Sequence, residues 1–349
     1  MIPQTSISTV DQSSPPLVSA IMAVRNEERN IEPALTSLLQ QKTSGWDIEI
    51  IVVDGDSTDT TREIIKRIAS DDSRIKLTTN IQRKTPYAFN LGIEKARGEY
   101  ICILGAHNRY AQNYIATCLD ELKLHSAAGC SGRVITRPGD DSLQARLVAW
   151  TLAHPFGSSS GSMRTISAGF ADSIPYPLFR KSTLLDVGIY NTALHRNQDN
   201  DLNQRLRARG HKLYITDKTF CEYFVSSDLL SLARYAFKNG YWNIISFKVN
   251  PASMSMRHFV PGAFVLALIL SFSMAGYPIM THTHPWMAVP FILLATTYVF
   301  VSVVASCHTA YRVRSLDPLL MPISLFLLHI SYGAGSLSAL AGNARSPSN

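Results

Sequence analysis

Two polar clusters, each directly after a short apolar run, hold the residues best suited to chemistry. Residues 18–24 (VSAIMAV) lead into Arg25-Asn26-Glu27-Glu28, and residues 48–53 (IEIIVV) into Asp54-Gly55-Asp56-Ser57. Carboxylates in such positions accept hydrogen bonds from a nucleobase N–H or from ribose hydroxyls. Arg83 and Lys84, further on, offer cationic partners for phosphates. Arg25, Glu27, Asp54, Asp56, Arg83 and Lys84 together describe a nucleotide pocket. An aspartate in a turn more often caps a helix than binds a ligand, and Asp59 reads as such a cap. A later acidic pair, Asp199 and Asp201, would suit a helix N-terminus on structural grounds alone.

These residues need a frame, and the intervening chain supplies one. Residues 18–24, 48–53, 75–79 and 100–104 read as buried strands, and residues 29–41, 60–69 and 86–95 as helices between them. Ile31, Leu35, Leu38 and Leu39 share one helix face. The alternation predicts an α/β fold whose parallel sheet is joined by right-handed crossovers. Ligands of such sheets bind at the carboxyl ends of the strands, where both clusters fall. After about residue 130 the alternation fades. Residues 143–153 and 199–209 still read as helices, the second closed by Gly210.

The last third changes solvent. Between residues 259 and 311 there is no Asp, Glu, Lys or Arg. Residues 259–280, 286–307 and 319–341 are each long enough to cross a ~30 Å hydrocarbon core. The third contains Gly333-Ala334-Gly335-Ser336, which would allow close helix packing. Residues 229–248 mix Leu, Tyr, Phe and Trp with Arg234, Lys238 and Lys248, as in an amphipathic helix on a membrane surface. The expected organisation is a leader (1–16), an α/β domain (17–228), a membrane-interface segment (229–257) and a transmembrane region (258–349). Arg257 precedes the first span and Arg312 and Arg314 lie between the second and third, while the THTHP loop is uncharged. The positive-inside tendency then predicts a multi-pass protein of a bacterial-type inner membrane, its large domain cytoplasmic and its C-terminus outside.

Bulk properties narrow the classes. The net charge is +7; three arginines and one aspartate beyond residue 258 leave +2 there and +5 before it. A mild basic excess fits anionic headgroups or a phosphate-bearing substrate, and equally plain solubility. Clustered basic runs with aromatic platforms are absent, which excludes a nucleic-acid partner. The five cysteines are scattered without a C-x-x-C pair, as reduced cytosolic thiols would be. Residues 1–16 lack the apolar core of a signal peptide. Spans without a charge at mid-depth make a poor transport pathway.

The stretches VSAIMAVRNEERNIEPAL, IEIIVVDGDSTDTTREII and NLGIEKARGEYICIL resemble inverting glycosyltransferase family 2, whose fold is called GT-A. HPFG (154–157), RNQDNDLNQRLRARG (196–210), RHFVPGAFV (257–265) and HISYGAGSL (329–337) resemble its membrane-bound succinoglycan-biosynthesis branch. The resemblance runs over nearly the whole chain from about residue 17. It implies a mostly parallel mixed sheet between helices, with C-terminal transmembrane helices. It further implies a UDP-sugar donor, a divalent cation (Mn2+ or Mg2+) and transfer with inversion to a lipid-linked saccharide during exopolysaccharide assembly. Membrane lipids, and polysaccharide-assembly proteins, are the other partners it suggests.

Carried over residue by residue, Asp54 and Asp56 match the nucleotide-binding acidic motif. Asp199, in the pair Gln198-Asp199, matches the catalytic base, with Asp201 binding acceptor or orienting Asp199. Arg205 and Arg207 read as partners of acids. One departure stands out. The family's Asp-x-Asp or Asp-Ala-His after the fourth strand is here Gly105-Ala106-His107, so Ala106 falls against the donor and His107 keeps one potential metal ligand. Three outcomes stand open: a cation held by His107 and the donor phosphates; Arg83, Lys84 or Lys238 in place of a full metal clamp; or a catalytically impaired member acting as a binding or scaffold subunit of an assembly complex.

Overall fold

The structure, a computed structural model, describes residues 17–159, 162, 164–281 and 283–342, with side chains for all of these but 277–281. Strands β1 (Leu17–Val24), β2 (Asp47–Asp54), β3 (Ile75–Thr79) and β4 (Tyr100–Gly105) alternate with helices α1 (Ile31–Leu39), α2 (Thr61–Asp71) and α3 (Thr85–Lys95). The strands pair in parallel in the order β3-β2-β1-β4. Their residues are apolar on both faces because helices cover both. Val18, Ala20 and Met22 of β1 pack into one layer and Ile21 into the other.

The second half of the domain comprises β5 (Asn108–Tyr110), α4 (Tyr114–Leu124), β6 (Gly129–Arg137), α5 (Leu143–Ala153), α6 (Pro155–Ser158), β7 (Gly169–Phe170), β8 (Leu178–Arg180), α7 (Lys181–Val187), α8 (Gln198–Ala208) and β9 (Leu213–Phe224). The sheet continues β4-β8-β6-β9-β5, with β7 also on β9. Here β8 runs antiparallel to both its neighbours, as do β5 and β7 to β9, while β6 and β9 are parallel. The sheet is thus mixed. At its amino edge the buried Glu49 accepts from Ser19, Lys76 and Arg97 and fastens β1, β2, β3 and the entry to β4. Burial alone would raise its carboxyl, but these donors hold it down at about 2.

Helix α9 (Leu229–Val249) leads through two short 3-10 turns into α10 (Val260–Thr281), α11 (Val289–Val313) and α12 (Met321–Ala341). The second expected span starts later than its apolar run, behind a 3-10 turn at Pro285–Ala288, and continues past Arg312. Pro285–Val313 and Asp317–Ala341 are long and apolar enough to cross a membrane; the apolar part of α10, Val260–Gly276, is shorter. Leu266, Ile269, Leu270 and Phe272 of α10 and Ile292, Leu293, Val299 and Phe300 of α11 face outward, uncovered by protein.

The expected surface helix α9 is packed along one face. Leu232, Ala236, Gly240 and Ile244, spaced by four, are buried, while Leu230, Phe247 and Val249 stay exposed. Contact with α12 is close because glycines permit it. A Cβ at Gly240 would lie 1.9 Å from the Tyr332 carbonyl oxygen, and one at Gly335 2.1 Å from that of Phe237. Helix α5 joins the sheet domain to this bundle. Leu147 packs with Ala305, Met321 and Leu325, Thr151 hydrogen-bonds Ser324 at 2.6 Å, and Arg146 pairs with Asp317 at 2.9 Å.

Candidate active site

The turns after β1 and β2 lock onto each other. Backbone N–H groups of Asn26, Glu27 and Thr58 donate to Ser57 Oγ, Thr61 Oγ1 and Asn26 Oδ1 at 2.7–2.9 Å. Asp59, one residue ahead of the Thr60 N-cap of α2, accepts from the N–H and hydroxyl of Thr61 and so has the structural use expected of it. Asp54 is fully buried. It accepts from Ser57 Oγ at 2.5 Å and Arg62 Nη1 at 2.6 Å, so its carboxylate fastens the turn from beneath. Asp56 is half exposed and pairs with Arg83. Arg25 is exposed beside Gly55. Asn26, Asp56 and Arg83 all adopt positive φ, 55–59°, without being glycine. Asparagine and aspartate tolerate this region, so Arg83 is the uncommon one of the three. Lys84 immediately precedes α3 without capping it through its side chain, and its charge, after burial, contributes to lowering His195 from the ordinary histidine value.

At the end of β4 the structure explains the missing acid. A Cβ on Gly105 would stand 2.8 Å from Asn108 Oδ1 and 3.0 Å from Tyr176 Cε1, both in the packed interior. Gly105→Asp should therefore lower the melting temperature, by about 1–3 kcal/mol of stability as overpacking does, and create no cation site. A fully stable variant that binds Mn2+, seen by electron paramagnetic resonance, would contradict this. Ala106 is buried, so only its backbone could face a ligand. His107 Nε2 lies 2.9 Å from Glu27 Oε1, and its Nδ1 3.1 Å from Asn30 Nδ2, which also donates to Glu27 Oε2 at 3.1 Å. A ring protonated at Nε2 satisfies both contacts. Both nitrogens and the one carboxylate they meet are thereby engaged. Among the described residues no group of three or more His, Cys, Asp or Glu could hold a metal. As they stand, these residues do not fit a resident cation.

Asp199 occupies a different setting. It opens α8 behind Asn197, which is itself left-handed (φ 60°) and donates from Nδ2 to Asn243 Oδ1 at 2.6 Å and Ser246 Oγ at 3.1 Å on α9. It accepts a hydrogen bond from the Asn200 N–H at 2.9 Å. Asp199 lines a cavity of about 560 Å³ closed on one side by the sheet domain and on the other by α9, α10, α11 and α12. It is open to the cavity while surrounded by protein, and the lost hydration raises its carboxyl above the usual range. Pro261, Phe264, Tyr298 and Leu328 form the apolar side. His329 Nε2 meets the Phe156 carbonyl oxygen at 3.0 Å, so the HPFG and HISYG segments touch across this space.

Asp201 is not part of the cavity lining. It is buried, accepts from Arg205 Nε at 2.9 Å and Asn250 Nδ2 at 2.8 Å, and ties α8 to the chain beyond α9. Arg207 pairs with Asp172. The residues at the ends of β1, β2, β3 and β4 form one edge, and Arg25, Glu27, Asp54, Asp56, Arg83, Lys84, Ala106 and His107 do not line the cavity; Tyr223 stands between His107 and the cavity residue Arg164. Its ring centroid is 6.4 Å from that of His107 and 5.1 Å from Arg164 Cζ. Arg164, Tyr223 and Tyr235 were not legible as site residues. The only available signal was that Arg164 is the sole Asp, Glu, Lys or Arg in residues 147–171.

Comparisons with known proteins agree with this fold. The family description "Glycosyl transferase family 2" matches residues 19–181. A dolichyl N-acetyl-alpha-D-glucosaminyl phosphate 3-beta-D-2,3-diacetamido-2,3-dideoxy-beta-D-glucuronosyltransferase of Methanococcus voltae is 24% identical over 329 residues, covering 90% of this chain and 95% of its own. The succinoglycan biosynthesis protein ExoA of Rhizobium meliloti (strain 1021) is 27% identical over 241 residues, 68% of this chain and 72% of its own. Mannosyltransferase PcManGT from Pyrobaculum calidifontis, solved with GDP-Man and Mn2+, shares the fold at a TM-score of 0.56 and 17% identity, over 95% of this chain and 89% of that one.

Proposed function

We propose, for a chain that belongs to glycosyltransferase family 2 and has the GT-A type of fold, that it moves a hexose with inversion from a UDP-sugar to a saccharide on a polyprenyl diphosphate during exopolysaccharide synthesis. The observation that carries this reading is the setting of Asp199: a carboxylate with no ion-pair partner among the described residues, in a cavity that apolar C-terminal helices close. A membrane-borne acceptor and a general base would share one space there. Asp56 and Arg83 at the open strand edge, with Arg25 and Glu27 beside them, would seat the nucleotide, and Asp54 would hold their turn in shape. Asp201 would position α8.

In the reaction, Asp199 takes the proton of the acceptor hydroxyl as its oxygen attacks the anomeric carbon, and the bond from that carbon to the diphosphate breaks on the opposite side. A carboxylate whose pKa lies above the ordinary aspartate value is a stronger base for this step than an ordinary one. No step of this reading runs through a cation. The outward apolar faces of α10 and α11 support membrane embedding, and the catalytic domain would then lie on the cytoplasmic face, where nucleotide sugars are made. The names of the Methanococcus and Rhizobium relatives, a dolichyl-linked sugar and succinoglycan, support the acceptor class.

The test is transfer of labelled sugar from UDP-glucose, UDP-galactose and UDP-N-acetylglucosamine to polyprenyl-diphosphate saccharides by membranes carrying the protein. Label is expected in the lipid fraction with one of these donors. An unlabelled lipid fraction with all three, alongside transfer from GDP-mannose, would overturn the donor assignment.

A further inference from the structure

Arg164 is surrounded by protein, yet its Nε and Nη2 have no hydrogen-bond partner among the described residues. No carboxylate among the described residues lies within ion-pair distance of it, whereas Arg62 and Arg205 pair with the buried Asp54 and Asp201. It hydrogen-bonds the Tyr235 phenol, and its guanidinium is set over the Tyr223 ring at 5.1 Å, contacts that fix its plane without supplying an acid. Beside it, Arg196 donates to Asn239 Oδ1 at 2.6 Å and lies 5.7 Å from the Tyr235 ring, likewise without an acid. Arg257 opens onto the same cavity from the membrane side. The concentrated positive charge is felt locally: burial would raise the Tyr235 phenol, but Arg164 and Arg196, with Asn239, bring it below its usual value.

A guanidinium withdrawn from water with open donors costs free energy unless an anion completes it. Its planar fork fits two oxygens of one phosphate. The cavity that Arg164 lines also holds Asp199, and the residues at the end of β4 offer no cation site to balance a diphosphate. We propose that Arg164 is the core of a phosphate-binding site between the sheet domain and the C-terminal helices, seated on Tyr223 and supported by Arg196. The anion is either the diphosphate of the nucleotide donor or the phosphate that links an acceptor to its lipid; the recognising chemistry is the same. The proposal rests on the functional reading above and extends it by naming what neutralises the substrate.

Binding to the full-length protein in nanodiscs tests it, without turnover, for three probes: UDP, undecaprenyl phosphate and undecaprenol. Arg164→Gln is expected to weaken at least one phosphate-bearing probe by about tenfold or more, the size of one charge-assisted contact, and to leave undecaprenol unchanged. Loss confined to UDP assigns the donor diphosphate; loss confined to undecaprenyl phosphate assigns the acceptor; either supports the site. Arg164→Lys keeps the charge but not the fork, so it should fall between wild type and Arg164→Gln; if Arg164→Gln does not fold, a weakened Arg164→Lys decides. Wild-type affinity for both phosphate probes in a folded variant, or a wild-type protein that binds neither, overturns the proposal. Failure of the wider reading looks different: phosphate binding remains dependent on Arg164 while no sugar is transferred from any donor.

Discussion

Asp199→Asn lowers transfer by about 10²–10⁴-fold, the range a general base contributes, while affinity for the nucleotide stays within a factor of about three. The substitution is nearly isosteric, and the hydrogen bond from the Asn200 N–H can still be accepted by an amide oxygen. The chemistry is removed and the fold is kept. The same residue sets an acid limb. Transfer falls as pH drops through the Asp199 pKa, because a protonated carboxyl cannot accept the acceptor's proton. Burial raises that pKa, so wild-type kcat/KM declines at a higher pH than an ordinary aspartate, near about 3.9, would allow. Parallel measurement of transfer rate, UDP affinity and the pH profile checks all three. An Asp199→Asn protein as active as wild type, with an unchanged acid limb, would remove Asp199 from the reaction.

Gly240→Val has the second large effect, and it acts far from the strand-end turns. The added Cβ would overlap the Tyr332 carbonyl oxygen, a backbone atom of α12 that no rotamer change can move away. Helices α9 and α12 must then separate. Asn197 is anchored to Asn243 and Ser246 of α9, so the start of α8 and Asp199 move with it. The cost should reach or exceed the upper end of the about 1–3 kcal/mol usual for overpacking. Transfer to a lipid-linked acceptor is expected to drop at least about tenfold, as a displaced catalytic group does, with UDP binding much less affected. Melting curves and transfer assays on the detergent-solubilised protein test this. Unchanged melting and full transfer would show that the close packing does not position the site.

The first half of the fold was legible because parallel strands covered on both faces must be apolar throughout. IEIIVV and YICIL state this directly, and their ends mark the ligand edge. The second half was not, for equally physical reasons. β5, β7 and β8 have two or three residues each, too few to show a period, and the β6–β9 register shifts between Gly132 and Arg133. The run Gly333-Ala334-Gly335-Ser336 signalled close packing, but the partner helix α9 carried three basic residues and read as a surface helix. In the site, Asp56 and Arg83 were readable as charged residues beyond strand ends. Asp54 was readable as an acid, although only the structure shows its oxygens turned inward to Ser57 and Arg62. Asp199 was recognisable through family resemblance alone, since two acids at a helix start have an ordinary electrostatic use. Arg164 was silent because what distinguishes it, an aromatic seat on a residue distant in sequence and donors without an acid, exists only after folding.

The central claim is that a nucleotide sugar at the strand ends and a lipid-borne acceptor meet at Asp199. An electron cryo-microscopy structure of the full chain in nanodiscs, with an unreactive UDP-sugar analogue and a polyprenyl-linked acceptor, tests it most directly. The account predicts the acceptor hydroxyl within about 3 Å of an Asp199 carboxylate oxygen, the catalytic hydrogen-bond reach, with the lipid leaving the cavity between the C-terminal helices. An acceptor bound on another face, or a donor whose anomeric carbon points away from Asp199, would contradict it.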